Sequence, residues 1–148
     1  METNQLLAGS GKIVYDPFRA DMKNRTQGWC IVEVDREITR YYRYWIDKQL
    51  NPLGLPGQGL KQPSWDAHIS VVRGERIHPS VQHLWKKYHG QRVNFSYDNS
   101  YIRVAPDKNL GGYYYWVDVE CQFLSDIRTE LQLPVGWKLH ITIGRTYE

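Results

Sequence analysis

The chain has 148 residues, of which 41% are apolar and 24% charged; this is ordinary for one globular domain and excludes a fibrous or disordered chain. The net charge of +3 is too small to favour long duplex DNA as a partner. Two cysteines, Cys30 and Cys121, are too few for a disulfide framework. Since the sequence contains neither an apolar run of about 18 residues nor a signal-peptide pattern, we expect a cytoplasmic protein without a membrane partner.

Residues 1–28 are polar and are interrupted by glycine and proline, which predicts an arm laid over the domain. A short extended segment is expected within it at residues 12–15. The glycine-rich run at residues 8–12 is not a phosphate-binding loop, because Leu6 and Ile13 stand where that motif needs glycine and a hydroxyl residue. Tyr15 is a candidate substrate contact, because an arm can fold over a cleft.

The rest of the chain alternates between runs rich in β-branched residues and stretches with helical spacing of apolar residues. The proline- and glycine-rich segment 51–64 predicts a long loop, and residues 98–100 predict a hairpin turn within residues 92–104. The other predicted strands are 29–34, 68–72, 113–119 and 138–143, and the predicted helices are 36–50, 80–89 and 120–131. On the first helix we expect a buried stripe of Ile38, Tyr41, Tyr42, Trp45 and Gln49.

Two blocks of sequence recur in the same order. Residues 32–35, Val-Glu-Val-Asp, reappear as Val-Asp-Val-Glu at 117–120, each time before a predicted helix. Residues 68–73, His-Ile-Ser-Val-Val-Arg, reappear as His-Ile-Thr-Ile-Gly-Arg at 140–145. The recurrence favours an internal duplication. We therefore predict one domain over residues 29–148, with lobe-forming repeats at about 29–73 and 113–145.

Each repeat ends in a histidine followed two positions later by a hydroxyl residue: His68 with Ser70, and His140 with Thr142. Alternate residues of a strand share a face, so each pair points the same way. One imidazole can act as the base and another as the acid in phosphodiester cleavage, while hydroxyls stabilise the phosphate oxygens. These four residues are the candidate catalytic residues, and their chemistry requires no metal ion or other cofactor.

The two motifs resemble those of the 2H phosphoesterase superfamily, whose mark is two copies of His, apolar, Ser or Thr, apolar. Both copies stand here without substitution, and the resemblance spans roughly residues 29–145. It implies an α/β (α+β) domain with bilobal pseudo-twofold symmetry, in which two antiparallel sheets line a central cleft and the helices lie outside. Members include ligases of 2′,5′-linked RNA, hydrolases of cyclic phosphates, and phage anti-CBASS enzymes that cut cyclic oligonucleotide signals.

From the motifs and the resemblance we predict a metal-independent hydrolase. Its substrate would be a small cyclic nucleotide, a cyclic oligonucleotide or an RNA end, and a viral or bacterial enzyme that degrades cyclic oligonucleotide immune signals fits this description. The alternatives are a non-catalytic module that binds cyclic nucleotides or RNA ends, and a 2′,5′ RNA ligase or 2′,3′-cyclic phosphodiesterase of RNA processing. The pattern leaves open which histidine is the base, whether water or a 2′-hydroxyl attacks, and the oligomeric state.

Arg73 and Arg145 follow the motif histidines by five positions, and a guanidinium group suits a phosphate. At this odd spacing a regular strand places them on the opposite face, although Gly74 and Gly144 allow a local break. They are therefore candidate substrate-binding residues with an open question of geometry.

The aromatic run at residues 113–116 cannot be entirely core in an alternating strand. We expect Tyr114 and Trp116 to contact the substrate, because nucleobases stack on aromatic side chains.

Overall fold

The computed structural model describes residues 6–18, 26–55, 59–61, 67–108, 111–136 and 138–146, with the side chains of all of these except residues 6 and 98–101. A short 3₁₀ helix, Pro79–Leu84, lies between the third and fourth strands. The strands and α-helices in chain order are β1 (Leu6–Tyr15), β2 (Trp29–Val34), α1 (Arg36–Leu50), β3 (His68–Arg73), β4 (Arg92–Pro106), β5 (Tyr113–Glu120), α2 (Gln122–Glu130) and β6 (Leu139–Arg145).

The strands form a closed antiparallel barrel in the order β1-β2-β3-β6-β5-β4. The predicted bilobal domain, with two antiparallel sheets lining a central cleft, is therefore wrong. The reason lies in β4, whose residues 92–98 pair with β1 and whose residues 96–97 and 102–106 pair with β5. One long strand thus joins what would otherwise be two sheets.

Strand β1 lies within the segment for which the sequence predicts an arm, residues 1–28. Its residues 11–15 pair with β2 and its residues 6–12 pair with β4, so this part of the segment is a barrel strand. Gly9 and Gly11, which suggest a flexible arm in the sequence, instead allow neighbouring groups to pack closely against β1. A Cβ atom on Gly9 would lie 2.6 Å from the Phe95 ring, and one on Gly11 would lie 2.5 Å from the Glu33 carbonyl oxygen.

Helix α1 has the predicted bounds. The Asp35 side chain accepts a hydrogen bond from the backbone N–H of Glu37 at 3.0 Å and so caps the first turn. The buried residues are Thr39, Tyr42 and Ile46, whereas Tyr41 and Trp45 of the predicted stripe are exposed. The predicted stripe is wrong because the buried face of the helix includes a polar residue, Thr39. The Thr39 hydroxyl donates a hydrogen bond to the Arg36 carbonyl oxygen at 2.9 Å and can therefore be buried.

Two other predicted elements differ from the structure. Strand β4 runs through residues 98–100, where a hairpin turn was expected, and its pairing with β5 shifts register between Tyr97 and Ile102. The helix predicted at 80–89 is a 3₁₀ helix that ends at Leu84, shortly before Lys86 adopts a left-handed backbone with φ of 72°.

The apolar core lies between the strands and the helices. Tyr42 of α1 meets Tyr97 of β4 with ring centroids 6.4 Å apart, and Leu124 of α2 belongs to the same core. A six-stranded barrel has no room for a helix inside it, so this apolar side of the sheet faces outward. We call the opposite side of the sheet the inner face. The fully buried residues that share the outward side in register are Ile13, Val32, Ile69, Val117 and Ile141.

Among the described helices, none is both long enough and apolar enough to cross a lipid bilayer.

Candidate functional site

The two histidine motifs lie in adjacent strands. Strands β3 and β6 are antiparallel, and Ile69 pairs with Ile141. One residue to either side of that pair, His68 stands opposite Thr142, and Ser70 stands opposite His140. Because both isoleucines point outward into the core, the four motif side chains lie on the inner face. We call these four residues the histidine patch.

The patch is compact enough for one small ligand. Opposite residues of an antiparallel pair have Cβ atoms about 4.5–5.5 Å apart, and diagonal neighbours are about 7–8 Å apart. The two histidines occupy one diagonal of the patch and the two hydroxyl residues occupy the other. Ser70 is buried, while His68, His140 and Thr142 remain partly exposed.

A β-bulge follows the motif in β3. Ser70 pairs with Ile31 and Val72 pairs with Cys30, so Val71 is an extra residue without a counterpart in β2. The extra residue reverses the alternation of side chains, and Arg73, which pairs with Trp29, returns to the inner face.

The same irregularity follows the motif in β6. Thr142 pairs with Trp116 and Gly144 pairs with Tyr115, which leaves Ile143 as the extra residue. Arg145 therefore also joins the inner face. The expectation that regular alternation turns both arginines away from the histidines is wrong for this reason.

Arg73 contacts one of the motif histidines directly. Its Nη2 lies 3.4 Å from Nε2 of His140. A guanidinium group only donates hydrogen bonds, so this ring nitrogen acts as the acceptor, and the ring proton resides on Nδ1. The pKa of His140 is lowered, first by burial and then by the charge of Arg73, against the opposing effects of a backbone hydrogen bond with Lys138 and the charge of Asp118. The lowered pKa favours the neutral form of the His140 imidazole.

Arg145 has a different set of contacts, although it is equivalent to Arg73 in the repeat. Its Nη2 lies 2.9 Å from a carboxylate oxygen of Asp107 and 3.4 Å from the Gly111 carbonyl oxygen. Its guanidinium group thus engages the turn that precedes β5. The two equivalent arginines make the two halves of the site electrostatically unequal.

Tyr114 and Trp116 lie beside the patch, as predicted from the aromatic run. They project from the inner face of β5, where they pair with Arg145 and Thr142. Their rings stack with centroids 5.0 Å apart and planes inclined by 25°, and the Trp116 ring lies 6.0 Å from that of His140. Both rings are partly exposed, so they form an aromatic surface next to the imidazole.

Asp118 belongs to the site but was not predicted from the sequence. It pairs with His140, and its carboxylate accepts hydrogen bonds from Nε1 of Trp116 and Nε of Arg103, both at 3.2 Å. The hydrogen bond from Trp116 fixes the orientation of its indole ring. The repeat carried a signal for it: Asp118 is equivalent to Glu33, which pairs with His68 in the β2–β3 register.

Tyr15, predicted as a substrate contact, lies outside the patch. It is 1% exposed on the outward side of β1, and its ring meets that of Trp85 edge to face at 4.9 Å. Burial raises the pKa of its hydroxyl. The prediction for Tyr15 is wrong, because the residue belongs to a core strand rather than to an arm over the cleft.

No protein-family model, curated protein or solved structure matches this chain. Within the part of the chain that the structure describes, no three His, Cys, Asp or Glu side chains form a group able to hold a metal ion. Evidence for a function therefore comes from the residues of the patch and their surroundings.

Proposed function

We infer that this protein is a metal-independent phosphodiesterase that acts on cyclic nucleotides, cyclic oligonucleotides or RNA-type phosphodiesters through two-histidine general acid–base catalysis. The observation that carries the inference is the pairing of Ile69 with Ile141, which groups the four residues of the histidine patch on the inner face. The resemblance of both motifs to those of 2H phosphoesterases supports the same reaction.

The arrangement of the patch fits the proton transfers of phosphodiester cleavage. When a ribose 2′-hydroxyl attacks phosphorus, a base takes its proton, the bond to the leaving 5′-oxygen breaks, and an acid protonates that oxygen. The attacking and leaving oxygens lie on opposite sides of phosphorus, matching the diagonal of His68 and His140. On the other diagonal, the hydroxyls of Ser70 and Thr142 donate to the non-bridging oxygens as charge develops. A cyclic phosphate is opened by water in the same geometry.

The unequal surroundings of the two histidines support distinct roles. His140 presents an unprotonated Nε2 toward Arg73, which suits it to accept the nucleophile's proton. The second histidine, His68, lies across the diagonal of the patch from His140 and is the group left to protonate the leaving oxygen. We therefore assign His140 as the base and His68 as the acid, with Arg73 directed at the phosphate.

The aromatic surface supports a nucleotide over other phosphodiesters. A nucleobase stacked on Tyr114 or Trp116 gains about 1–3 kcal/mol. Because Trp116 adjoins His140, a base bound there would hold its neighbouring phosphate near the patch.

Mass-resolved product analysis in the presence of chelator tests the proposal. The substrates are 2′,3′-cyclic mononucleotides, cyclic dinucleotides with 3′,5′ or 2′,5′ linkages, larger cyclic oligonucleotides and short linear RNAs. We expect one class to be cut by the wild type and by a His83→Ala control, whose histidine is exposed on the 3₁₀ helix, but not by the His68→Ala, His140→Ala double variant.

Four results would contradict the proposal. Equal cleavage by the double variant would remove the histidines from the mechanism. Loss of activity in chelator would point to a metal. Tight binding of one ligand without cleavage would favour the non-catalytic binding module. Joining of RNA ends that carry a 2′,3′-cyclic phosphate and a 5′-hydroxyl would favour the ligase.

A further inference from the structure

Arg128 of α2 is a buried charged residue, with 3% of its surface exposed. It follows Leu124 by four positions and so lies on the helix stripe that packs against the barrel. Burying a guanidinium group is costly unless its donors are paired, so its partners indicate why it is there. One of them is local: Nε donates to the Pro134 carbonyl oxygen at 2.8 Å.

A second partner is the bulge of β3. Nη1 of Arg128 donates to the Val71 carbonyl oxygen at 2.8 Å. Because Val71 has no counterpart in β2, the ladder does not determine the conformation of its peptide group. A buried carbonyl needs a donor, and Arg128 supplies one from another element of the fold.

The third partner lies on the other side of Arg73. Nη1 and Nη2 of Arg128 each lie 2.7 Å from a carboxylate oxygen of Glu75, forming a two-pronged ion pair. The Glu75 carboxylate in turn accepts a hydrogen bond from the backbone N–H of Arg73 at 3.3 Å. Arg128 thus holds the chain two residues before Arg73 and two residues after it.

We propose that Arg128 is a positioning residue that fixes the Val71 bulge and Glu75 and thereby aims the Arg73 side chain at His140. Its effect on catalysis rests on the proposed function. The positioning itself is a property of the resting protein and can be measured without a substrate.

The test is an NMR titration of the His140 ring in charge-conserving variants. Arg128→Lys keeps the charge but cannot pair with both carboxylate oxygens and reach the bulge. Glu75→Asp keeps the charge but shortens the reach. Each variant should raise the pKa of His140, as we also expect for Arg73→Met, because the Arg73 cation would no longer lie against the ring.

Glu130→Gln is the matched control. It removes an ion pair at the end of the same helix, where Glu130 binds Lys87 at 3.2 Å and the Tyr88 hydroxyl at 2.6 Å. Lys87 and Tyr88 precede β4 in the chain and are not part of β3, the strand that carries Arg73. We expect the titration of His140 to be unchanged in this variant.

A double variant decides whether the effect passes through Arg73. In the Arg128→Lys, Arg73→Met protein, the pKa of His140 should equal its value in Arg73→Met alone. A further shift of this pKa would overturn the proposal. An unchanged His140 titration in folded Arg128→Lys would also overturn it. If Arg128→Lys does not fold, the titration of Glu75→Asp decides in the same way.

Activity separates this proposal from the proposed function. If the enzyme cleaves its substrate, kcat in Arg128→Lys should fall about 10- to 100-fold, as expected for a misplaced catalytic group, and remain near wild type in Glu130→Gln. If no phosphodiester is cleaved by any of the proteins, the proposed function fails, while the titration still decides whether Arg128 positions Arg73.

Discussion

The guanidinium group of Arg73 lies 3.4 Å from Nε2 of His140, although the two residues are 67 positions apart in the chain. The contact joins the two repeats, and it also makes them unequal, because the equivalent Arg145 pairs with Asp107. His140 therefore has a cationic neighbour that helps to lower its pKa. Enzymes that need one acid and one base at the same pH commonly separate the two roles in this way.

The Arg73 contact predicts the pH dependence of activity. Protonated His140 cannot accept a proton, so kcat/KM should fall as the pH drops through the pKa of His140. Removing the Arg73 charge raises that pKa, so the acidic limb of Arg73→Met should lie at higher pH than that of the wild type. Profiles of kcat/KM against pH measure this. Arg76→Met, which removes a nearby exposed charge, is the control, and coincident Arg73→Met and wild-type limbs would refute the assignment.

The assigned roles predict different responses to the leaving group. On a natural RNA linkage, His68→Ala and His140→Ala should each lower kcat by about 10²–10⁴-fold. A nucleoside 3′-(p-nitrophenyl phosphate) needs no acid, because its leaving group departs as a stable anion. His68→Ala should recover most of its activity on this substrate, and His140→Ala should not. Recovery by His140→Ala instead would reverse the assignment.

The stacked aromatic pair predicts a change in substrate affinity. Replacing Tyr114 or Trp116 by alanine should raise KM about 5- to 150-fold, the equivalent of about 1–3 kcal/mol of base stacking. The kcat of Tyr114→Ala should change little, because its ring lies beyond Trp116 from His140. Tyr113→Ala, an exposed tyrosine in the same strand, is the matched control. Steady-state kinetics with a nucleotide substrate and with the corresponding abasic ribose phosphodiester, which offers no ring to stack, would reveal whether base stacking is responsible.

The placement of Tyr15 predicts an effect on stability. Tyr15→Ala should lower the free energy of unfolding by about 3–5 kcal/mol, because it empties a fully buried aromatic site. Tyr41→Ala should change it by less than about 0.5 kcal/mol, because Tyr41 is 57% exposed on α1. Urea unfolding measures both values. A large rise in KM without loss of stability in Tyr15→Ala would return this residue to the substrate site.

Local elements were predictable where neighbouring residues determine them. The bounds of β2 and α1 follow from a β-branched run and from the helical spacing of apolar residues, and both agree with the structure. The common face of His68 and Ser70 follows from the two-residue period of a strand. Closure of the barrel did not follow, because it depends on which strands pair with the two halves of β4, and no local pattern specifies such long-range pairing.

The side chains around the patch were predictable only in part. Tyr114 and Trp116 were found because four consecutive aromatic residues cannot all be core. The orientation of Arg73 stays open from the sequence, because a bulge adds a residue that periodicity does not count. Arg128 stands in the sequence as a charged residue on an otherwise apolar helix stripe, and this pattern is the sequence signal for a buried, paired charge.

The two bulges make the site sensitive to the number of residues as well as to their identity. Val71 and Ile143 are each flanked by the residues that define the motif and by the arginine that follows. Deleting either one would remove the bulge and leave the arginine four positions after the histidine. At this even spacing regular alternation keeps the arginine on the inner face, but about 3.3 Å closer to the motif along the strand. Homologous chains that are one residue shorter at either point would therefore keep the motif and an inward arginine without a bulge, whereas chains with the five-residue spacing need the bulge to bring the arginine to the inner face.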